Sequence, residues 1–222
     1  MKLFRSLKTV ASLLALLGAL SGATVARANL SYLVEINTAA LVGNTFAPFS
    51  LDLQSFWGSG AAQTITVSNF SFTGGNFNGI PDIIGTVPGS TGTSLVFNST
   101  SSSGLNDFFQ GFDSGVTDIK FNVSLTTNAA GAAPTTFAVQ LYGSNGFAAT
   151  TSGYFDTLVN FSIDGSNTSF ISGNGTGAYA GVTTTVTAIP EPSVTAALFG
   201  AGAMAFCVIR RRSQKTAMGQ AA

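Results

Sequence analysis

The feature that most constrains this fold is an alternation of apolar and polar residues with a period of two, repeated in short segments between residues 29 and 188. Because successive side chains of a strand point to opposite faces, each segment predicts a strand with one buried face. No window of this region has the apolar stripe of an amphipathic helix. The apolar positions are Tyr32, Val34 and Ile36; Phe49, Leu51 and Leu53; Ile65 and Val67; Ile119, Phe121, Val123 and Leu125; Phe137, Val139 and Leu141; and Val159, Phe161 and Ile163.

Segments rich in Gly, Ser, Thr and Asn separate these strands, for example residues 73–76, 101–104 and 173–177. Short strands joined by such turns predict an all-β fold, here a single antiparallel β-sandwich or jelly-roll body. A body of roughly 160 residues can bury about 70% of the surface of its unfolded chain, which is enough for one core. Of the 19 phenylalanines, 16 lie in this body and supply apolar area without needing polar partners.

The first 28 residues have the pattern of a secretory signal peptide. Lys2, Arg5 and Lys8 precede a short apolar run, and Ala26 and Ala28 form an A-x-A cleavage site. The run is shorter than the roughly 20 residues that a membrane-spanning helix needs. We therefore expect cleavage by signal peptidase and a mature chain that begins at Asn29; the alternatives are an uncleaved anchor or a buried helix.

The C-terminal region contains an uncharged apolar stretch over residues 193–209, followed by Arg210, Arg211 and Arg212. A stretch of this length that ends at a basic cluster predicts a membrane helix whose basic side stays in the cytoplasm. Its small residues make it a weak anchor. A soluble core helix is the alternative, but such a helix would have a polar face, which this stretch lacks.

Pro190, Glu191 and Pro192 stand immediately before this stretch. The two prolines remove amide donors and keep the chain extended, so the three residues form a rigid strip at the outer membrane face; a stiff linker is the alternative. A Pro-Glu-Pro motif, an apolar span and an arginine cluster at the C-terminus closely resemble the PEP-CTERM sorting signal. The resemblance covers about the last 34 residues and excludes the body, and the tail after Arg212 is longer than is usual for this signal.

What the resemblance implies is recognition by exosortase, a membrane-embedded enzyme, with removal of the helix and delivery of the body to the cell surface or exopolysaccharide layer of a Gram-negative bacterium. The chain then divides into a signal peptide (1–28), an exported β-sandwich domain (29–188), a sorting signal (189–212) and a cytoplasmic tail (213–222). The inner membrane is a transient partner during export.

The residue inventory excludes most catalytic chemistry. The chain has no histidine and one cysteine, so an imidazole base, an imidazole metal ligand, a disulfide framework and a CxxC motif are all excluded. Charged residues make up 8% of the chain, too few for a nucleic-acid surface. The net charge of zero is a sum of unlike parts. The body has Lys120 and eight acids and a net charge of −7, whereas the N-terminal and C-terminal segments have net charges of +4 and +3.

The eight acids of the body show no motif spacing, and we expect them to be solvated surface groups. Asp107, Asp113 and Asp118 lie near glycines and are candidate calcium ligands, although the EF-hand pattern is absent. A carboxylate pair for glycoside hydrolysis remains open, but the sequence favours no pair. Tyr32, Phe56, Trp57, Tyr142, Tyr154 and Tyr179 are the candidate residues for stacking on sugars, but core packing or a lone surface aromatic residue is the favoured interpretation.

Two functions from different classes follow. The first is a non-catalytic, monomeric surface or matrix protein without a cofactor, sorted by exosortase and associated with exopolysaccharide. Its hydroxyl-rich surface would also accept O-glycosylation. The second is a carbohydrate-binding or weakly hydrolytic β-sandwich that acts on the exopolysaccharide. A face carrying several exposed aromatic residues, or two buried facing acids, would favour the second, and a smooth polar surface the first.

Overall fold

The computed structural model describes residues 30–58, 63–98, 104–126, 135–148, 150–152, 156–164 and 167–189. The predicted signal peptide (1–28), Pro190 to Arg212 of the predicted sorting signal, and the predicted tail (213–222) lie outside the described residues. No helix within the described ranges is long and apolar enough to span a membrane.

The described part of the chain consists of twelve strands and two 3-10 helices of three residues, Ala39–Leu41 and Gly177–Tyr179. The strands are β1 (Leu30–Asn37), β2 (Phe49–Phe56), β3 (Thr64–Thr73), β4 (Asp82–Ile84), β5 (Ser94–Asn98), β6 (Leu105–Phe112), β7 (Asp118–Leu125), β8 (Thr135–Gly143), β9 (Gly146–Phe147), β10 (Val159–Asp164), β11 (Asn167–Ser172) and β12 (Thr183–Ile189). All of their pairings are antiparallel. The prediction of an all-β, antiparallel fold is confirmed.

The strands form two sheets. The first sheet has five strands in the order β12-β1-β7-β3-β5. The second has seven, in the order β11-β10-β8-β2-β6-β4, with β9 paired to β8. The pairing is nested, because β3 pairs with β5, β2 with β6, and β1 with β7, and successive pairs alternate between the sheets. A long hairpin rolled into two layers, as in a jelly roll, has this arrangement.

Aromatic side chains join the inner faces of the two sheets. Tyr32 of the first sheet lies 5.1 Å from Phe161 of the second, and Phe97 lies 5.4 Å from Phe137, between ring centroids. Both contacts lie near the same end of the body. Phe137 pairs with Ser55, near the end of β2, and Tyr32 lies near the beginning of β1. The inward residues of the six predicted segments are all buried, so the period of two identified the core correctly.

β12 ends one residue beyond the predicted domain boundary at 188. Ile189 pairs with Ser31 of β1, so it belongs to the sheet and not to the segment that follows.

Replacing Phe137 with Ala should lower the free energy of unfolding by about 3–5 kcal/mol, because the cavity would remove contacts to both sheets. Ile80→Ala is the matched control, since Ile80 is almost fully exposed and its loss should cost less than about 0.5 kcal/mol. Denaturant unfolding of residues 29–189 can be followed by the fluorescence of Trp57, the only tryptophan. Equal destabilisation by both substitutions would contradict this account of the core.

Candidate functional site

A pair of carboxyl groups lies on the outer face of the second sheet. Asp52 of β2 lies between the inward Leu51 and Leu53 and therefore points outward. Asp107 of the neighbouring β6 pairs with Gln54, two residues after Asp52 on β2. Although both side chains point away from the core, Asp52 is only 1% exposed and Asp107 only 9% exposed. The expectation that Asp52 and Asp107 are solvated surface acids is therefore wrong.

Neighbouring side chains of the same face explain this burial. In the sheet register, Asp52 lies between Phe109 of β6 and Gln140 of β8. Phe109 packs against Tyr142, with ring centroids 5.5 Å apart. Tyr142 is the next outward residue of β8 after Gln140. Long and aromatic side chains on flanking strands thus cover a short carboxyl group between them.

The two carboxyl groups lie close enough to shift each other's pKa, and the Gln54 amide lowers the pKa of both. Gln54 Nε2 donates to Asp52 Oδ2 at 2.9 Å. The Oδ1 atoms of Asp52 and Asp107 have no donor among the described residues. A proton on Asp52 would supply the donor that two ionised carboxylates lack, so the burial of the pair favours a state with one shared proton.

The pKa values of both carboxyl groups are raised, which favours the protonated form. Burial, followed by the hydrogen bond and negative charge of Asp107, raises the pKa of Asp52 from 3.8 to about 9. Burial also raises the pKa of Asp107, and the charge of Asp82 adds to the increase, whereas the hydrogen bonds from Asp52 and Gln54 oppose it. Lys120, the only basic residue in the described ranges, lies on the first sheet.

A groove of about 440 Å³ opens beside this pair on the same outer face. Ala138 lies between Gln54 and Asn160 in the register of β2, β8 and β10, so a short side chain lies between two longer amides. The residues lining the groove are Gln54, Phe56, Thr136, Ala138, Gln140, Thr157 and Asn160. Three residues with side-chain amides and two threonines thus line the groove together with the aromatic Phe56.

Exposed aromatic residues lie around the groove and the carboxyl pair. Phe56 is 47% exposed, Tyr142 is 36% exposed and Phe147 is 43% exposed. Tyr142 contacts Phe147 at 5.1 Å between ring centroids, so these two side chains form a cluster with Phe109. We call the groove, the carboxyl pair and these aromatic residues the amide face.

The outer face of the first sheet differs in its chemistry. A recess of about 460 Å³ there is lined mainly by threonines and by the charged residues Glu35, Asp118 and Lys120. Lys120 Nζ lies 2.6 Å from Glu35 Oε1 and 3.2 Å from Asp118 Oδ2. The charges of this recess are already paired with one another, and none of its lining residues is aromatic.

The three candidate calcium ligands lie apart. Asp107 belongs to the amide face and Asp118 to the outer face of the first sheet, while Asp113 accepts hydrogen bonds from Asn76 N and Asn78 Nδ2 at 2.9 and 3.1 Å. Within the described ranges, no group of three or more His, Cys, Asp or Glu side chains is arranged to hold a metal ion.

The aromatic residues singled out from the sequence divide between core and surface. Tyr32 and Tyr179 are buried and Trp57 packs partly against the core, whereas Phe56 and Tyr142 lie on the amide face. Phe56 and Trp57, being adjacent, point to opposite sides as the strand period requires. Tyr154, Pro190, Glu191, Pro192, Arg210, Arg211, Arg212, Ala26 and Ala28 lie outside the described residues.

Comparison with protein-family models, with curated proteins and with solved structures found no match. The sorting signal predicted from the Pro-Glu-Pro motif, the apolar span and the arginines stays a prediction.

The pH dependence of stability should reveal the shared proton. Between the pKa of Asp52 in the unfolded chain, 3.8, and its folded pKa of about 9, the folded state holds one more proton, so stability should fall as pH rises. The slope should approach about 1.4 kcal/mol per pH unit between pH ~5 and ~8. Asp52→Asn, whose amide can donate permanently to Asp107, should flatten this slope and stabilise the protein at pH ~8.

Asp164→Asn is the matched control, because Asp164 is exposed at the end of β10. Denaturant unfolding of each variant at several pH values measures the slopes. An unchanged slope in Asp52→Asn would refute the shared proton.

Proposed function

We propose that this chain is an exported, non-catalytic protein of the cell surface or extracellular matrix, whose body binds polysaccharide through the amide face. Export rests on the sequence of the two ends, which predicts cleavage by signal peptidase, a transient inner-membrane anchor and processing by exosortase. The observation that carries the binding function is the amide groove beside exposed aromatic residues on one face of the second sheet.

The chemistry of this face suits a sugar. Sugars present hydroxyl groups that both donate and accept hydrogen bonds, and the side-chain amides of Gln54, Gln140 and Asn160 can do both. The C–H faces of a sugar ring are apolar and can pack on an aromatic ring, the role we assign to Phe56. A groove that is largely preformed, with a few convergent polar groups, is the usual form of a small-ligand site. Its neutral lining favours a neutral segment of polysaccharide.

Two buried facing acids also raise the alternative of weak hydrolysis, which we do not favour. Retaining glycosidases hold their two carboxyl groups about 5–5.5 Å apart, and inverting enzymes hold them about 6.5–9.5 Å apart. Asp52 and Asp107 do not line the groove, and both are almost fully buried, so neither carboxyl group is presented to a sugar bound there. We assign the pair a positioning role, because Gln54 donates to Asp52 and also lines the groove.

Binding to the extracellular polysaccharide of the producing bacterium tests the amide face. Phe56→Ala and Gln140→Ala should each weaken binding about tenfold, corresponding to the loss of about 1.4 kcal/mol from a buried anchor. Leu33→Ala and Asn122→Ala, on the outer face of the first sheet, are matched controls and should bind like the unaltered body. Equal affinity of all four variants would place binding elsewhere.

Incubation of the body with the same polysaccharide tests whether it hydrolyses the polymer or only binds it. Release of reducing ends by the body, abolished by Asp107→Asn without unfolding, would overturn the non-catalytic proposal.

Processing at both ends is tested separately by intact-mass analysis of surface material. The main species should begin at Asn29 and lack Cys207, and replacing Pro190, Glu191 and Pro192 with Ala should retain Cys207 in the chain. A main surface species that starts at Met1, or loss of Cys207 despite the triple substitution, would contradict the proposed sorting.

A further inference from the structure

The two ends of the folded body lie side by side. Leu30 begins β1 and Ile189 ends β12, and Ser31 of β1 pairs directly with Ile189. The segments that precede and follow the body therefore both leave it at one end of the first sheet. We call this end the tethered end and define it by Leu30, Ser31, Leu125, Thr126, Ala188 and Ile189.

The connection from the tethered end to the predicted membrane helix is short. Only Pro190, Glu191 and Pro192 lie between Ile189 and the apolar stretch. Three extended residues span at most about 10 Å, and the two prolines limit the bending of this connection. A tether of this length keeps the end of β12 close to the bilayer surface.

The charged residues of the first sheet lie far from the tethered end. The tethered end has no charged residue among the six that define it, and Leu30 and Ile189 are partly exposed apolar residues. Glu35, Asp118 and Lys120 lie toward the opposite ends of β1 and β7, about 17–23 Å further along the strands. Anionic headgroups repel a body of net charge −7, so the end whose own residues are uncharged gives the most favourable approach, and Glu191 of the tether is the one acid next to it.

We infer that, while the chain is anchored, the tethered end contacts the lipid headgroups and the strands of the first sheet stand upright on the membrane. The inference rests on the C-terminal anchor of the proposed function. It places the recess formed by Glu35, Asp118 and Lys120 at the end away from the bilayer, and leaves both sheet faces free to meet a partner.

Positions along β12 can report the distance from the bilayer. Four of its residues are exposed on the outer face: Ile189, Thr187, Thr185 and Thr183. In full-length chain with Cys207→Ala, a single cysteine is placed at each of these positions and carries a fluorophore. The chain is reconstituted in phosphatidylethanolamine–phosphatidylglycerol vesicles that carry a short-range quencher on the headgroups. Quenching should be strongest at Ile189 and be lost at Thr183, about 20 Å further along the strand.

Two contrary outcomes are distinct. Equal quenching at all four positions would mean that the first sheet lies flat on the bilayer, and would overturn the upright orientation while leaving the anchor intact. Failure of the chain to float with the vesicles would overturn the anchor, and the orientation with it. A gradient along β12 in chain that floats supports the inference.

Discussion

The structure depends on apolar contact between the inner faces of the two sheets. The layer formed by Tyr32, Phe161, Phe97 and Phe137 joins strands from distant parts of the chain, and the nested pairing follows the same rolled arrangement. Once the inner face is fixed, the period of two directs every alternate side chain outward. The two outer faces are therefore free to differ, and they do: one has threonines and paired charges, the other amides, aromatic residues and a carboxyl pair.

The carboxyl pair should stabilise the amide face only while it holds a proton. Two carboxylates without a nearby cation would repel each other at short range, whereas a shared proton converts the same contact into a hydrogen bond. Gln54 connects this pair to the groove, because it donates to Asp52 and lines the binding surface. Loss of the proton should therefore affect both the stability of the body and the position of a groove side chain.

Sequence patterns predicted six strands with regular apolar alternation, but they missed β6, in which polar residues point inward. In β6, Asn106 and Gln110 face the core and bond to backbone carbonyls of Asn98 and Gly79, which hides the alternation. The pairing of Asp52 with Asp107 could not be predicted, because it depends on β2 and β6 becoming neighbours across 55 residues of chain. The period of two placed Asp52 outward correctly, but the side chains that bury it come from other strands.

The central claim, that the amide face binds polysaccharide, is tested most directly by mapping contacts at single residues. Oligosaccharides prepared from the exopolysaccharide are titrated into the ¹⁵N-labelled body of residues 29–189, and the side-chain amide signals are followed by NMR. The account predicts saturable shifts at Gln54, Gln140 and Asn160, with Asn37 and Asn122 of the first sheet unchanged. Shifts confined to the first sheet, or none at saturating sugar, would contradict it.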